Sequence, residues 1–200
     1  MIRLTDAEAA RLGSGGVVWR DGFVDRVLGT ATRDALGAWH REGRLTPAGV
    51  GREGQQAGVR GDTTTWLEPT DPAPLGTLFE HFELLRVDLA RELRLGLQRF
   101  AVQAARYDAG AGYLRHRDAF KGDPSRIVTA VLYLNPAWQP DDGGMLQAWT
   151  PDGLLTIEPV LGRLVLFRSD TVPHAVLPAR APRFAVTAWY RGGEAIPLLP

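Results

Sequence analysis

The run Ile127-Val-Thr-Ala-Val-Leu-Tyr-Leu134 decides the fold class, because it is an unbroken stretch of β-branched, apolar and aromatic residues. Similar short runs recur from residue 99 onward, and turn sequences such as PDDGG and PDG separate them. They are Phe100–Tyr107, Met145–Trp149, Leu154–Ile157, Arg163–Phe167 and Phe184–Tyr190. Strands at this spacing favour a β-sandwich or barrel over alternating βαβ units.

The first half of the chain has a helical texture instead. Apolar residues recur every three or four positions from Asp21 to about Gly43 and again from Pro74 to about Leu97, which predicts two helices. The Gly-rich segment 47–61 between them indicates a mobile loop or a loosely twisted hairpin. We therefore expect one domain over residues 1–200, with helical support and the mobile loop in 1–98 and the β core in 99–193.

Composition excludes several classes of function. Basic and acidic residues both number 23, so no global charge attracts nucleic acid or an anionic membrane. With no cysteine, disulfides, thiolate nucleophiles and Cys-ligated metal centres are ruled out. No apolar run is long enough to span a bilayer, and residues 1–16 do not have the pattern of a secretory signal. We expect a cytoplasmic monomer that binds neither nucleic acid nor membrane.

The segment Tyr113-Leu-Arg-His-Arg-Asp118 contains two potential metal ligands. On an extended strand, residues two apart point to the same face. His116 and Asp118 would therefore converge, while Arg115 and Arg117 would face away. This spacing alone is a weak signal for a metal site.

His174, which directly follows the apolar run Arg163–Phe167 and a short turn, is the candidate third ligand. The other two histidines, His40 and His81, lie in the predicted helices, and we interpret them as surface or packing residues. Two histidines and one carboxylate on one face of a metal leave positions open, as in non-heme Fe(II) oxygenases. A catalytic zinc ion could use the same ligands.

Arg183 favours the oxygenase over the zinc site. It begins the strand-like run Arg183–Tyr190, and an arginine in apolar surroundings needs an anion, which its planar fork binds in bidentate fashion. Because Arg183 accompanies the candidate ligands His116, Asp118 and His174 (the triad), we predict that it binds the distal carboxylate of 2-oxoglutarate. Tyr107 and Tyr133, on neighbouring predicted strands, are candidate hydrogen-bond donors to the same ligand.

Taken together, these residues resemble the 2-oxoglutarate/Fe(II) oxygenases, and among them the prolyl 4-hydroxylases of the hypoxia-inducible-factor type and their bacterial relatives. The matching segments are Val59–Leu67, Gly112–Asp118, Val128–Asn135, Gly143–Leu146, Arg163–Asp170 and Arg183–Tyr190. The resemblance implies a double-stranded β-helix (jelly-roll) core packed by N-terminal helices. It also implies Fe(II), 2-oxoglutarate and O2, with ascorbate as a supporting reductant.

Residue by residue, the resemblance assigns Fe(II) to His116, Asp118 and His174. It assigns the distal carboxylate of 2-oxoglutarate to Arg183 and Tyr133. It places four further residues in the 2-oxoglutarate pocket: Tyr107, Thr129, Leu146 and Trp189. Arg60 and Asp62 match a family pair that shapes the entrance of the active site. One of the family's paired tyrosines is missing, since the sequence reads Leu132-Tyr133.

The implied activity is hydroxylation of a prolyl residue in a protein, coupled to decarboxylation of 2-oxoglutarate to succinate. Resemblance to the bacterial relatives makes elongation factor Tu a candidate substrate. Three alternatives stay open: a hydroxylase of a free amino acid or small metabolite, a non-catalytic binding barrel, and a zinc hydrolase. The last would need a general base near the metal, and Glu158 is poorly placed for it.

Overall fold

Helices lie mainly in the first half of the chain. We analysed a computed structural model that describes residues 3–49, 58–119 and 125–192. Its helices are α1 (Asp6–Gly13), α2 (Arg26–Arg41) and α3 (Leu75–Glu92). A short 3-10 turn covers Pro140–Asp142. No helix in the described ranges is long and apolar enough to cross a bilayer.

Two antiparallel sheets form the body of the molecule. Their strands are β1 (Val17–Arg20), β2 (Thr46–Pro47), β3 (Thr63–Leu67), β4 (Leu97–Tyr107), β5 (Tyr113–His116), β6 (Arg126–Tyr133), β7 (Leu146–Thr150), β8 (Gly153–Ile157), β9 (Leu164–Arg168), β10 (His174–Val176) and β11 (Arg183–Gly192). The large sheet has the order β1-β9-β6-β11-β4-β3-β2, and the small sheet the order β5-β10-β7-β8. This confirms the predicted mainly-β fold with a jelly-roll core and packed helices.

The outer face of the large sheet packs against the helices. Alternate residues of β11, such as Phe184, Val186 and Tyr190, join a core with Leu36 of α2 and Phe82 of α3. The other residues of β11 point inward because successive strand side chains face opposite sides. Because the helices cover one face of the large sheet, the opposite face is the one available for a site.

A second core lies between the two sheets. It combines Val131 and Phe167 of the large sheet with Leu146 and Ala148 of the small one. The apolar side chains of this core therefore close one end of the space between the sheets. Polar side chains line the other end, towards β5 and β10.

Several predicted boundaries shift. The helix predicted from Asp21 begins at Arg26, because the Asp25 side chain caps it by accepting a hydrogen bond from the Leu28 amide at 2.7 Å. The helix predicted to reach Leu97 ends at Glu92, and Leu97 begins β4. Within the segment Val59–Leu67 that carries the resemblance, Thr63–Leu67 forms β3.

The first part of the chain, expected to supply helices and a loop, also supplies three strands. β1, β2 and β3 come from the first part of the chain, yet they complete the large sheet, and β1 pairs with β9. β1 and β2, the two edge strands of this sheet, are too short to show a periodicity of their own. The predicted mobile loop at 47–61 falls partly on residues 50–57, which lie outside the described residues; Thr46 and Pro47 pair with β3.

Candidate functional site

Three predicted ligands converge between the sheets. His116 ends β5 and His174 begins β10, and the two residues are direct partners in the antiparallel ladder. Ligand atoms of His116, Asp118 and His174 all lie within 4.8 Å of one another. Nε2 of His116 is 3.5 Å, and Nε2 of His174 3.8 Å, from the Asp118 carboxylate.

Backbone carbonyls orient both imidazoles. Nδ1 of His116 lies 2.8 Å from the Leu114 carbonyl, and Nδ1 of His174 lies 3.2 Å from that of Val172. A carbonyl only accepts, so each Nδ1 carries a proton, and Nε2 is the ring nitrogen left to bind a metal. Burial lowers the pKa of His174 to about 4, which keeps it neutral, the form that binds metals.

Asp118 is buried and ionised. Burial alone would raise its pKa, but His174 and His116 outweigh this effect and hold the pKa of the carboxyl well below its usual range. Its Oδ2 accepts a hydrogen bond of 2.9 Å from the hydroxyl of Thr129, which is itself 2.8 Å from the Ser169 hydroxyl. A chain of hydroxyls thus fixes the orientation of the carboxylate.

The structure changes one expectation about this segment. We expected His116 and Asp118 on one strand with Arg115 and Arg117 facing away, but β5 ends at His116 and Asp118 follows it. Arg115 does face away, with its guanidinium 4.3 Å from the Trp149 ring centre. Arg117, although exposed, lies at the cavity wall, because the chain leaves the strand before it.

A cavity of about 360 Å³ opens beside the triad. Arg183 lies in its wall and is only 4% exposed. Its Nε donates to the Gly144 carbonyl at 2.8 Å, and its guanidinium lies 4.8 Å from the ring of Tyr107 and 5.0 Å from that of Tyr133. Among the described residues, no carboxylate pairs with this buried cation, so the site calls for an anionic ligand.

The other predicted pocket residues fall into two groups. Tyr107, Leu146 and Trp189 line the cavity. Tyr133 is fully buried beside Arg183, and its hydroxyl has no hydrogen-bond partner within the described ranges. Thr129, expected at the pocket wall, lies behind Asp118 instead.

The predicted entrance pair is an ion pair. Arg60 lies in the cavity wall, and the buried Asp62 behind it accepts from its Nε at 2.6 Å and from its Nη2 at 2.9 Å. Burial would lower the pKa of Arg60, but the Asp62 carboxylate raises it above its ordinary value. The Arg60 guanidinium also lies 4.8 Å from the Tyr113 ring.

Sequence reasoning missed some residues of the site. Gln103 and Trp66 line the cavity, and the Tyr113 ring stacks on His116 at 3.6 Å between ring centres. Alternation along Phe100–Tyr107 would have placed Gln103 on the face of Tyr107. No signal identifies Ser169, since its contact with Thr129 spans 40 residues.

The residues present fit a metal ion and a short dicarboxylate. Two imidazoles and a carboxylate suit Fe(II) or another divalent metal. A partnerless Tyr133 hydroxyl beside the unpaired Arg183 suits a carboxylate.

Comparison with known proteins gives consistent results. The sequence profile of the 2OG-Fe(II) oxygenase superfamily matches residues 102–191. The chain is 35% identical over 191 residues to Egl nine homolog 1 of Rattus norvegicus, covering 88% of this chain and 55% of that protein. It thus spans about half the length of that relative. It is 32% identical over 198 residues to prolyl hydroxylase EGLN3 of Homo sapiens, covering 90% of this chain and 80% of that protein.

Two solved structures resemble it throughout. One is a Pseudomonas putida prolyl-4-hydroxylase, with a TM-score of 0.85 and 36% identity, covering 94% of this chain and 98% of that one. The other is a Trichoplax adhaerens prolyl hydroxylase in complex with a peptide fragment of the hypoxia-inducible-factor oxygen degradation domain. It has a TM-score of 0.84 and 27% identity, covering 92% of this chain and 86% of that one.

Proposed function

This chain belongs to the prolyl hydroxylase family of the 2OG-Fe(II) oxygenase superfamily, and on that premise we propose that it hydroxylates a prolyl residue of a protein substrate while 2-oxoglutarate is decarboxylated to succinate. One observation carries the proposal. A cluster of His116, Asp118 and His174 and a buried Arg183 with no described acidic partner line the same cavity.

His116, Asp118 and His174 hold the Fe(II) ion. With 2-oxoglutarate and O2, this metal supplies the oxidising power to hydroxylate an unactivated C–H bond. The protein holds the Asp118 carboxylate in position through Thr129, and backbone carbonyls direct both imidazoles at the metal. Phe167 packs on His174 at 4.7 Å between ring centres and limits water behind it.

Arg183 and the Tyr133 hydroxyl bind the distal carboxylate of 2-oxoglutarate. Burial raises the pKa of Tyr107, so its hydroxyl stays protonated. The Tyr107 ring lies beneath the Arg183 guanidinium and forms an uncharged part of the pocket wall. Leu146 and Trp189 enclose the carbon chain. Thr129 acts through Asp118 rather than by touching the co-substrate.

A protein substrate, rather than a free amino acid, is supported by the relative whose structure holds a peptide fragment. Elongation factor Tu, a protein expected from the resemblance to bacterial relatives, is the first candidate we propose. We further propose that the enzyme acts as a monomer, which sedimentation would test.

The test is product analysis by mass spectrometry. Purified protein with Fe(II), ascorbate and 2-oxoglutarate should add one oxygen atom to a prolyl residue of elongation factor Tu or of prolyl peptides, with one succinate formed per product. The His116→Ala protein is the control and should give neither. Oxygen addition to free amino acids but to no peptide or protein would overturn the proposal.

A further inference from the structure

The inner face of the large sheet extends the cavity sideways from the co-substrate region. A row of cross-strand neighbours runs from Val131 on β6 through Thr187 on β11 and Gln103 on β4 to Trp66 on β3. All of these side chains line the cavity. Adjacent strands lie about 4.8 Å apart, so Trp66 is about 10 Å from Thr187 across the sheet.

Gln103 lies outside the region of the metal and the diacid. Asp118 contacts Thr129 on β6, whereas Gln103 is on β4, beyond β11. Arg183 pairs with Tyr107, four residues from Gln103 along β4, which corresponds to about 14 Å. Gln103 therefore cannot share the anion held by Arg183, and it faces the part of the cavity left for the primary substrate.

The orientation of the Gln103 amide follows from Arg60. Nη2 of Arg60 donates to Asp62 at 2.9 Å and to Oε1 of Gln103 at 3.3 Å. A guanidinium only donates, so the oxygen of Gln103 must face Arg60 and its NH2 group must point the other way. Asp62, with its buried carboxylate, holds Arg60 in place through two hydrogen bonds. No described residue accepts a hydrogen bond from the Gln103 NH2 group.

We propose that Gln103 is a specificity-determining residue whose NH2 group donates a hydrogen bond to a backbone carbonyl of the substrate beside the target proline. The inference deepens the proposed function and rests on it. A prolyl residue lacks an N–H, so its backbone offers only a carbonyl acceptor. A fixed donor is the complementary group, and Trp66, half exposed at the end of the row, offers an apolar surface to the neighbouring residue.

Three variants test the role. Gln103→Met keeps the length of the side chain and removes the donor. Gln103→Glu keeps a partner for Arg60, and strengthens that pair, but also removes the donor. Gln98→Met is the matched control, because Gln98 is exposed on the same strand and does not line the cavity. The probes are acetylated, amidated peptides with one central proline, and N-acetylproline amide.

Loss of one neutral hydrogen bond should reduce kcat/KM for the peptide by roughly threefold to tenfold in both Gln103 variants. The KM for 2-oxoglutarate should stay at the wild-type value, and Gln98→Met should match wild type. Peptide binding to the metal-free protein, followed by tryptophan fluorescence, should weaken by the same factor. If Gln103 serves only to hold Arg60, Gln103→Glu will retain wild-type kcat/KM, which overturns the inference.

The proposed function and this inference fail differently. Turnover of no peptide by the wild-type protein would overturn the proposed function. Wild-type turnover with an unchanged Gln103→Met protein would overturn the inference alone. The fluorescence measurement tests the inference without turnover. Equal peptide binding by the wild-type and Gln103→Met proteins contradicts the inference, and so does the absence of binding by both.

Discussion

Replacing Thr129 with valine should weaken metal binding although Thr129 touches no metal. Ionised Asp118 only accepts, so the Thr129 hydroxyl must donate to it at 2.9 Å, and Ser169 must donate to Thr129 at 2.8 Å. Valine has nearly the shape of threonine but no hydroxyl. Asp118 then loses a donor that fixes its rotamer, while the packing around residue 129 is kept.

The magnitude follows from the charge of the acceptor. A hydrogen bond to a charged group contributes about 1.5–3 kcal/mol, and about 1.4 kcal/mol changes an equilibrium constant tenfold. We therefore expect the Kd for Mn(II), a stable substitute for Fe(II), to rise by roughly 10- to 100-fold, the range known for residues that orient metal ligands. Ser169→Ala removes only the next donor in the chain and should have a smaller effect.

Free Mn(II), measured by electron paramagnetic resonance during titration, gives the Kd directly. Thr156→Val is the control, since Thr156 is exposed on the edge strand β8 and does not line the cavity. Thermal unfolding of the metal-free proteins checks that Thr129→Val remains folded despite the lost partner of Ser169. A folded Thr129→Val protein that binds Mn(II) as tightly as wild type would refute the orienting role of the hydroxyl.

Three further substitutions separate binding from stability. Arg183→Gln should raise the KM for 2-oxoglutarate by about 100-fold or more through loss of a charge-assisted pair, and retention of wild-type KM in steady-state assays would contradict the carboxylate clamp. Tyr133→Phe removes a hydroxyl with no partner in the described protein, so urea unfolding should show no loss of stability while the KM for 2-oxoglutarate rises by roughly threefold to tenfold. Asn135→Ala deletes buried hydrogen bonds to the Pro159 carbonyl and to both backbone groups of Phe184, and should lower the free energy of unfolding by about 3 kcal/mol; a change below 1 kcal/mol would show that water replaces them.

The sequence by itself determined which metal ligands and which anion-binding residue the site contains. The metal ligands and the anion-binding arginine could be identified because His116, Asp118, His174 and Arg183 are titratable or charged residues in strand-like surroundings. Trp189, which the resemblance assigned to the pocket, lies with Arg183 at the cavity wall, on the side of β11 that the period of two gives both residues.

Only the tertiary structure decided which residues support those groups. Thr129 was predicted as pocket lining, yet it lies behind Asp118, because the register between β6 and β9 and the path of the chain after β5 bring the two together. The contact between Arg60 and Gln103 joins residues 43 apart and arises where β3 pairs with β4. Periodicity reports which face a side chain occupies, but strand register over long separations sets its neighbours, and that register depends on how all strands pack together.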